Sequence, residues 1–438
     1  MKINARFIAF HILKKFEHED IKLSKARNDI FIKFSPKNYI KSRAMMLANE
    51  VTRLRSRLDL MITYISKQKI KRLKESQAII LRIGFYEIIY DKLVPNYASV
   101  DSSVKMAHKF LSRKSVGFTN AVLRNLIRKK DSNKYWFKLL EAKSGWSSIP
   151  QWLEKRWLKQ YGQLNLDRLI NYVNNQAGTY IRFNDKLKSN IDIARQFKDE
   201  DIKSDLVLKN ILKVRSSNGK ILSSNLFKSG DVSIQSPSSA AIVHCLDAKN
   251  GDKILDVCAA PGTKALQLAD LVGKTGLVYA SDISSDRVAL GIKDMQRHRR
   301  KNIIWHVKDA RKDTYEKVDK ILIDAPCSGT GVIGRKPDIR WRRNQSDIKI
   351  FVNLQLSILK HITKFLKKGG FLVYATCSLE PEENLNVVEQ FLNLNGNFIA
   401  DEIPAGLPMA WVKNKLYLNT LPHLHGVDGM FAMRIKKT

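Results

Sequence analysis

The fold is decided by the stretch Leu255-Asp256-Val257-Cys258-Ala259-Ala260-Pro261-Gly262-Thr263-Lys264, an apolar run that passes through a turn of small residues into the start of a helix. Further strands are predicted towards the C-terminus, at residues 277–281, 302–307, 320–323 and 370–376, with a last strand at 429–435. Because helical patterns lie between these strands, we predict an α/β fold built on a parallel, doubly wound sheet.

The turn after the first strand has the features of a ligand site. Its small residues allow close approach of the backbone, and a helix N-terminus can hold an anionic group. It is neither a dinucleotide fingerprint nor a phosphate-binding P-loop. Twenty residues after Gly262, Asp282 ends the second strand, where a carboxylate can bind a ribose diol. Asp309 follows the third strand and is expected to face an adenine amino group, although each acid could instead be a helix cap. S-adenosylmethionine, a nucleoside with a carboxylate-bearing tail, fits this set.

Two of the four cysteines follow predicted strands. They lie in the segments Asp324-Ala325-Pro326-Cys327-Ser328-Gly329-Thr330-Gly331 and Tyr374-Ala375-Thr376-Cys377-Ser378. Ligands bind at this edge of a parallel sheet, so these thiols are candidates for chemistry. The alternative is that both are small buried apolar residues. The cysteines show no C-x-x-C spacing, so we expect no disulfide framework and no metal site.

The first 140 residues contain almost no glycine, and their apolar residues recur at helical spacing. We predict three segments: a helical domain at 1–140, a linker with a small mixed subdomain at 141–235, and the α/β domain at 236–438. We also predict a helix at 152–161, and one opening with Asp101 or Ser102 as its cap. No stretch is apolar enough to cross a membrane, and the start is typical of an amphipathic helix, so a cytoplasmic location without a membrane partner is expected.

The formal net charge of +35 favours a polyanionic partner. Basic residues cluster at 67–74, 124–130, 297–301 and 335–343. Nucleic acid is favoured over an anionic membrane surface, and a general lysine-rich composition is the remaining alternative.

In its order of motifs, the α/β half resembles the RNA cytosine-C5 methyltransferases. The matching motifs are Asp256–Gly262, Asp324–Gly331, Pro337–Trp341, Ala375–Ser378, Pro381–Asn384 and Leu421–Gly429. The helical front resembles the RNA-binding fold of NusB, on Tyr86–Tyr90, Val94–Pro95, Ser99–Asp101 and Gly117–Arg124. This combination is typical of the bacterial 16S rRNA methyltransferases of the RsmB/Sun/Fmu family. The resemblance implies a Rossmann-like S-adenosylmethionine-dependent methyltransferase core behind an all-helical NusB-like domain, with 16S rRNA as partner. We expect a monomer.

The resemblance also implies roles for individual residues. Cys377 is the nucleophile that adds to C6 of cytosine, Cys327 assists product release, and Asp324 hydrogen-bonds or protonates the ring at N3. The predicted cofactor-binding residues form the turn and the strand ends: Cys258, Ala259, Ala260, Pro261, Gly262, Thr263, Lys264, Asp282, Asp309 and Asp324. Thr263, Ala265 and Ser236 depart from the family pattern, in which Gly, Thr and Asp are usual.

Other functions remain open on the sequence. A DNA cytosine methyltransferase uses the Pro-Cys thiol and needs no Thr-Cys motif, so Cys377 argues against it. An amino-group methyltransferase would carry a different motif in place of Asp-Ala-Pro-Cys. The remaining alternatives are a cytosine-C5 methyltransferase acting on tRNA or 23S rRNA, and a non-catalytic RNA-binding scaffold.

Overall fold

The computed structural model describes residues 3–132, 135–216 and 218–438. Its helices are, in chain order, α1 (Ala5–His18), α2 (Leu23–Phe34), α3 (Asn38–Arg53), α4 (Arg55–Ser66), α5 (Glu75–Tyr90), α6 (Asn96–Phe110), α7 (Arg113–Ser132), α8 (Tyr135–Glu141), α9 (Gln151–Asn174), α10 (Asn190–Asp199), α11 (Asn218–Ser223), α12 (Asn225–Lys228), α13 (Pro237–Cys245), α14 (Thr263–Val272), α15 (Ser285–Arg297), α16 (Ile339–Arg342), α17 (Gln345–Ile362), α18 (Leu385–Leu394) and α19 (Pro422–His425). Its strands are β1 (Thr179–Phe183), β2 (Lys203–Leu208), β3 (Ile211–Arg215), β4 (Val232–Ile234), β5 (Lys253–Val257), β6 (Leu277–Asp282), β7 (Ile303–Val307), β8 (Val318–Asp324), β9 (Leu366–Thr376), β10 (Phe398–Asp401), β11 (Val412–Lys413), β12 (Tyr417–Thr420) and β13 (Met430–Lys437).

The chain divides into two compact units. One unit is helical and contains the residues up to Asn175 together with Ile333–Arg342, and the other contains Gln176–Val332 and Arg343–Thr438. The predicted segment boundaries at 140 and 235 stay predictions.

The helical unit is built from amphipathic helices around one apolar core. The largest of its fully buried side chains include Phe10, Leu47 and Phe85. The predicted helix at 152–161 is the first part of α9, which is interrupted at Gly162, where φ is +73°. The predicted cap at Asp101 or Ser102 is wrong, because α6 already begins at Asn96, directly after Pro95. Proline at this place has no N–H to leave unsatisfied, so it starts a helix as readily as it ends one.

The predicted basic cluster at 335–343 includes Arg340, which lies in the part of the helical unit at Ile333–Arg342 and is only 1% exposed. Its guanidinium donates to backbone oxygens of Arg53, Ser148 and Val173, at 3.0 Å each. Arg340 therefore stabilises the helical unit and is not available to a phosphate group.

A four-stranded antiparallel sheet precedes the large sheet in the second unit. Its strand order is β2-β3-β1-β4, and apolar residues of β1 and β3 pack with α10. Its hydrophobic core contains residues such as Phe183, Phe197 and Leu212.

The large sheet has the order β11-β12-β13-β9-β8-β5-β6-β7, with β10 paired to the second half of β13. The five strands from β9 to β7 are parallel, as predicted. The strand predicted at 429–435 exists as β13, but it runs antiparallel to β9. Helices connect the parallel strands as predicted, except between β7 and β8, where residues 308–317 form a loop. Because the five strands are parallel, their carboxyl ends lie at one edge of the sheet, and this edge carries the predicted site.

Every helix in the described part of the chain is too short or too polar to span a lipid bilayer. Within residues 3–132, 135–216 and 218–438, His, Cys, Asp and Glu side chains do not gather in threes in a geometry that could hold a metal ion.

Candidate active site

The site is built from the carboxyl ends of β5, β6, β8 and β9. Parallel pairing aligns Val257 with Ile323, Ile323 with Tyr374, and Asp324 with Ala375. The turn after β5, Asp282 at the end of β6, and the two cysteine segments after β8 and β9 therefore follow strands that end at the same edge.

The turn after β5 has the tight backbone that its small residues predicted. Cys258 has a φ of +59° and Gly262 a φ of +106°, a region that favours glycine. A Cβ at Gly262 would lie 2.8 Å from the Trp305 ring, so the position also lacks room for a side chain. The turn is held to the next strand by the Ala259 N–H, which donates to the Ser281 carbonyl at 2.8 Å. Gly262 then starts α14.

Asp282 is 2% exposed and forms an ion pair with Arg287 at 2.9 Å. The same guanidinium donates to the Ala260 carbonyl, so Arg287 joins the turn to the acid at the end of β6. Motif reasoning missed Arg287, and its only sequence signal is its place in the first turn of the helix after Asp282.

Asp309 follows β7, the strand beside β6, but its carboxylate is bound by Arg311 at 2.6 Å. Hydrogen bonding to Arg311 lowers the pKa of Asp309 to about 2. The carboxylate is therefore charged, and an adenine amino group would compete with Arg311 for it.

Asp256 is the second residue that motif reasoning did not assign. It lies in β5, is completely buried, and neither carboxyl oxygen has a hydrogen-bond partner within the described residues. Burial raises the pKa of Asp256 well above its ordinary value, and the negative charge of Asp324 raises it further. Its signal in the sequence is a carboxyl group inside an otherwise apolar strand.

Lys264 and Asp324 form a short ion pair, with the Lys264 Nζ 2.6 Å from the Asp324 Oδ2. Burial alone would lower the pKa of Lys264, but the charges of Asp324, Asp256 and Cys377 outweigh it and the pKa is raised. Lys264 therefore remains a cation beside the carboxylate, which keeps Asp324 oriented and hydrogen-bonded.

The two predicted catalytic thiols lie together. The Sγ atoms of Cys327 and Cys377 are 3.3 Å apart, within hydrogen-bonding distance for sulfur, and both residues are partly exposed. The hydrogen bond to Cys377 raises the pKa of Cys327 well above its ordinary value, and burial acts in the same direction. A thiol whose pKa is raised keeps its proton, so Cys327 is poorly suited to act as a thiolate nucleophile while it contacts Cys377.

The structure thus brings together three sets of predicted residues: the two thiols, Lys264 with Asp324, and the turn with Asp282 through Arg287. Asp309 lies on the neighbouring strand connection, where its carboxylate binds Arg311 instead of joining these groups. This edge can therefore present a thiol nucleophile beside a second thiol and a carboxylate.

Comparisons with known proteins match the N-terminal and the C-terminal parts of the chain to two different families. The family model described as 16S rRNA methyltransferase RsmB/F matches residues 243–436, and the NusB family model matches residues 3–128. The probable ribosomal RNA small subunit methyltransferase B of Bacillus subtilis is 33% identical over 375 residues, which cover 82% of each chain.

Two solved structures share the fold. The crystal structure of PH0851 covers 100% of both chains with a TM-score of 0.79 and 24% identity. The structure of a methyltransferase homolog protein from Pyrococcus horikoshii covers 65% of this chain and 94% of its own, with a TM-score of 0.56 and 28% identity. The predicted fold, an α/β methyltransferase core behind a NusB-like helical domain, is therefore confirmed.

Proposed function

The chain belongs to the RsmB/F family of 16S rRNA methyltransferases, and from that premise we propose that it transfers a methyl group from S-adenosylmethionine to C5 of a cytosine in 16S rRNA. The observation that carries the proposed chemistry is the 3.3 Å separation of the Cys327 and Cys377 thiols, beside the ion pair of Lys264 and Asp324.

The residues at the sheet edge fit S-adenosylmethionine. Asp282 offers a buried carboxylate for a ribose diol, and the turn at 258–264 offers backbone groups in a tight conformation that Gly262 allows. Asp309 offers a second carboxylate if its ion pair with Arg311 breaks when the cofactor binds. When bound, the cofactor supplies an electrophilic methyl group on a sulfonium centre.

Cys377 is the proposed nucleophile. C5 of an intact cytosine ring is a poor nucleophile, and addition of a thiolate to C6 converts the ring into an enamine whose C5 can react. Cys377 suits this role because Lys264 contributes positive charge nearby, which favours a thiolate. As C6 is attacked, a proton held between Asp324 and N3 stabilises the negative charge that develops on the ring, and Lys264 orients the Asp324 side chain.

Cys327 has a different proposed role. After methyl transfer, the C5 proton must leave and the bond between Cys377 and C6 must break. In the proposed step Cys327, 3.3 Å from the attached sulfur, accepts the C5 proton as its thiolate, the C5=C6 double bond re-forms, and Cys377 leaves C6 as a thiolate.

RNA is the proposed partner because the chain carries a formal net charge of +35 and because the proposed reaction acts on a base. Lys67, Lys69, Lys71, Arg72 and Lys74 are all exposed on the helical unit, and phosphate contacts of this kind weaken steeply with salt. The target cytosine must be unpaired or flipped to reach the thiols. The cytoplasmic location and the monomeric state remain predictions.

The test is a methyl-transfer assay with the purified full-length chain and S-adenosylmethionine labelled on its methyl group. 16S rRNA, 23S rRNA and tRNA are offered in separate reactions, and the products are digested to nucleosides. We expect label in 16S rRNA as 5-methylcytidine. Label confined to tRNA or 23S rRNA would show that 16S rRNA is not the substrate. Label on a nucleoside other than 5-methylcytidine would overturn the proposed methylation at C5. RNA binding without transfer would favour a non-catalytic scaffold.

A further inference from the structure

Glu383 binds the residues that follow both cysteines. Its side chain is completely buried. Its carboxylate accepts hydrogen bonds from the Ser328 N–H at 2.8 Å, from the Ser328 hydroxyl, and from the Ser378 hydroxyl at 2.6 Å. Ser328 comes directly after Cys327, and Ser378 directly after Cys377. One carboxylate therefore joins the two segments that carry the thiols.

Beyond the last strand pair, the two segments are joined by the contacts of Glu383 and by a backbone hydrogen bond, in which the Gly331 N–H donates to the Cys377 carbonyl at 2.9 Å. The parallel ladder between β8 and β9 ends with the pair Asp324 and Ala375, before either cysteine. Beyond it, the hydroxyls of Ser328 and Ser378 lie 3.0 Å apart, and both bind Glu383. The spacing of the thiols therefore depends on these side-chain contacts together with the backbone hydrogen bond to Cys377.

Glu383 is itself fixed from two sides. Its backbone carbonyl accepts a hydrogen bond from the Tyr374 hydroxyl at 2.6 Å, which ties it to β9. Gln355 of α17 donates to the carboxylate at 3.1 Å and to the Pro326 carbonyl at 2.9 Å. A buried carboxylate with four donors and an anchored backbone is a rigid connector, because moving it would leave several buried groups without partners.

We propose that Glu383 is a positioning residue that holds Cys327 and Cys377 at the separation needed for both thiols to act on one base. This inference rests on the proposed function, and it adds a residue that acts through the two serines without touching the base. The alternative to a positioning role is that Glu383 only stabilises the fold.

A chemical assay that needs neither RNA nor cofactor measures the separation directly. Oxidised dithiothreitol exchanges with the two thiols to form a disulfide, and the reagent takes up both electrons and both protons as it becomes a dithiol. The Cys327–Cys377 crosslink is quantified by peptide mass spectrometry. For Glu383→Gln we expect crosslinking to be slower by about tenfold or more, since a displacement of about 1 Å in a positioned reaction costs on the order of 100-fold. Glutamine removes one acceptor oxygen and adds donors facing the two serines.

The crosslinking rate depends on the distance between the thiols and on their reactivity. Iodoacetamide alkylation of each cysteine measures the reactivity alone and so separates the two effects. Loss of the Glu383 charge lowers the pKa of Cys327 and thus favours its thiolate, so faster alkylation with slower crosslinking supports the inference. The matched control is Glu389→Gln, an exposed glutamate on α18, which we expect to crosslink at the wild-type rate. If Glu383→Gln does not fold, Ser378→Ala, which removes one of these contacts, takes its place.

Methyl transfer completes the test. We expect Glu383→Gln to lower kcat with little change in KM for RNA. A folded variant that crosslinks at the wild-type rate overturns the inference, whatever its activity. If the wild-type chain crosslinks but transfers no methyl group to any RNA, the proposed function fails, while the crosslinking rates still decide the role of Glu383.

Discussion

The thiol sulfurs of Cys327 and Cys377, fifty positions apart in the chain, lie 3.3 Å from each other. Parallel pairing of β8 with β9 brings their segments to one edge of the sheet, since Asp324 aligns with Ala375. Two thiols at this distance can exchange a proton but cannot both be thiolates at low cost, so they are suited to two different roles.

Replacing Cys377 with alanine tests the nucleophile. We expect Cys377→Ala to abolish methyl transfer and to leave the affinity for S-adenosylmethionine unchanged, because this thiol acts on the base. Transfer and cofactor binding are measured on the same preparation, with Cys245→Ala as control. Cys245 is buried in α13, where burial raises the pKa of its thiol to about 12, so its loss should spare activity. Substantial turnover by Cys377→Ala would exclude it as the nucleophile.

Replacing Cys327 should have a different kind of effect. If Cys327 assists release, Cys327→Ala accumulates a covalent adduct between Cys377 and the RNA. The adduct is detected as a shifted band on a denaturing gel, and it should disappear in the double variant that also carries Cys377→Ala. An adduct formed by Cys377→Ala alone would reverse the two roles.

The sequence was most informative where apolar runs and motifs coincide. The strands that carry the site were predicted within a few residues, because buried parallel strands are short apolar runs bounded by turns. Both cysteines were placed at the ligand-binding edge of the sheet because each follows such a strand, whereas their direct contact is seen only in the structure. The family was predicted from the same motifs.

Other features depend on contacts between distant residues, which no local pattern records. Arg340 belongs to a basic run in the sequence, yet its guanidinium is enclosed by backbone carbonyls of α3 and α9. Asp309 was assigned to a ligand, but Arg311, two positions later, binds its carboxylate. The motif containing Glu383 was recognised, whereas its contacts with Ser328 and Ser378 require the folded chain.

Replacing Asp282 tests the cofactor site. We expect Asp282→Ala to weaken binding of S-adenosylmethionine by about 1.5–3 kcal/mol, the usual contribution of a hydrogen bond to a charged acceptor. Isothermal titration calorimetry measures the change in affinity. The control is Asp286→Ala, which removes an exposed acid in the first turn of α15. Equal affinities for wild type and Asp282→Ala would remove Asp282 from the site.

Replacing Asp256 tests its protonation state. In the folded chain the pKa of Asp256 is raised above the ordinary value of 3.8. Below pH 3.8 the carboxyl group is protonated in both states and does not lower the free energy of unfolding. As the pH rises towards the folded pKa, the unfolded chain ionises more easily, and the free energy of unfolding falls. Asp256→Asn cannot ionise and escapes this loss, although its buried amide carries a constant cost. We therefore expect the melting temperature of Asp256→Asn to rise relative to wild type as the pH is raised above about 4, the ordinary pKa of aspartate. A difference that stays constant across this range would mean that Asp256 ionises normally in the folded chain.

Replacing Arg340 separates a structural arginine from one that binds RNA. Arg340→Met removes the donors to buried carbonyls of Arg53, Ser148 and Val173. We expect it to destabilise the helical unit by at least about 1–3 kcal/mol, the usual cost of a buried polar group left without a partner. Burial lowers the pKa of Arg340 to about 9, yet its hydrogen bonds require the charged guanidinium. The control is Lys336→Ala, which removes an exposed cation of the same segment. Urea unfolding and RNA binding under conditions where both variants are folded are measured together. Arg340→Met should lower the unfolding midpoint with little change in RNA affinity, whereas wild-type stability with weakened, less salt-dependent RNA binding would mean that Arg340 contacts phosphate after all.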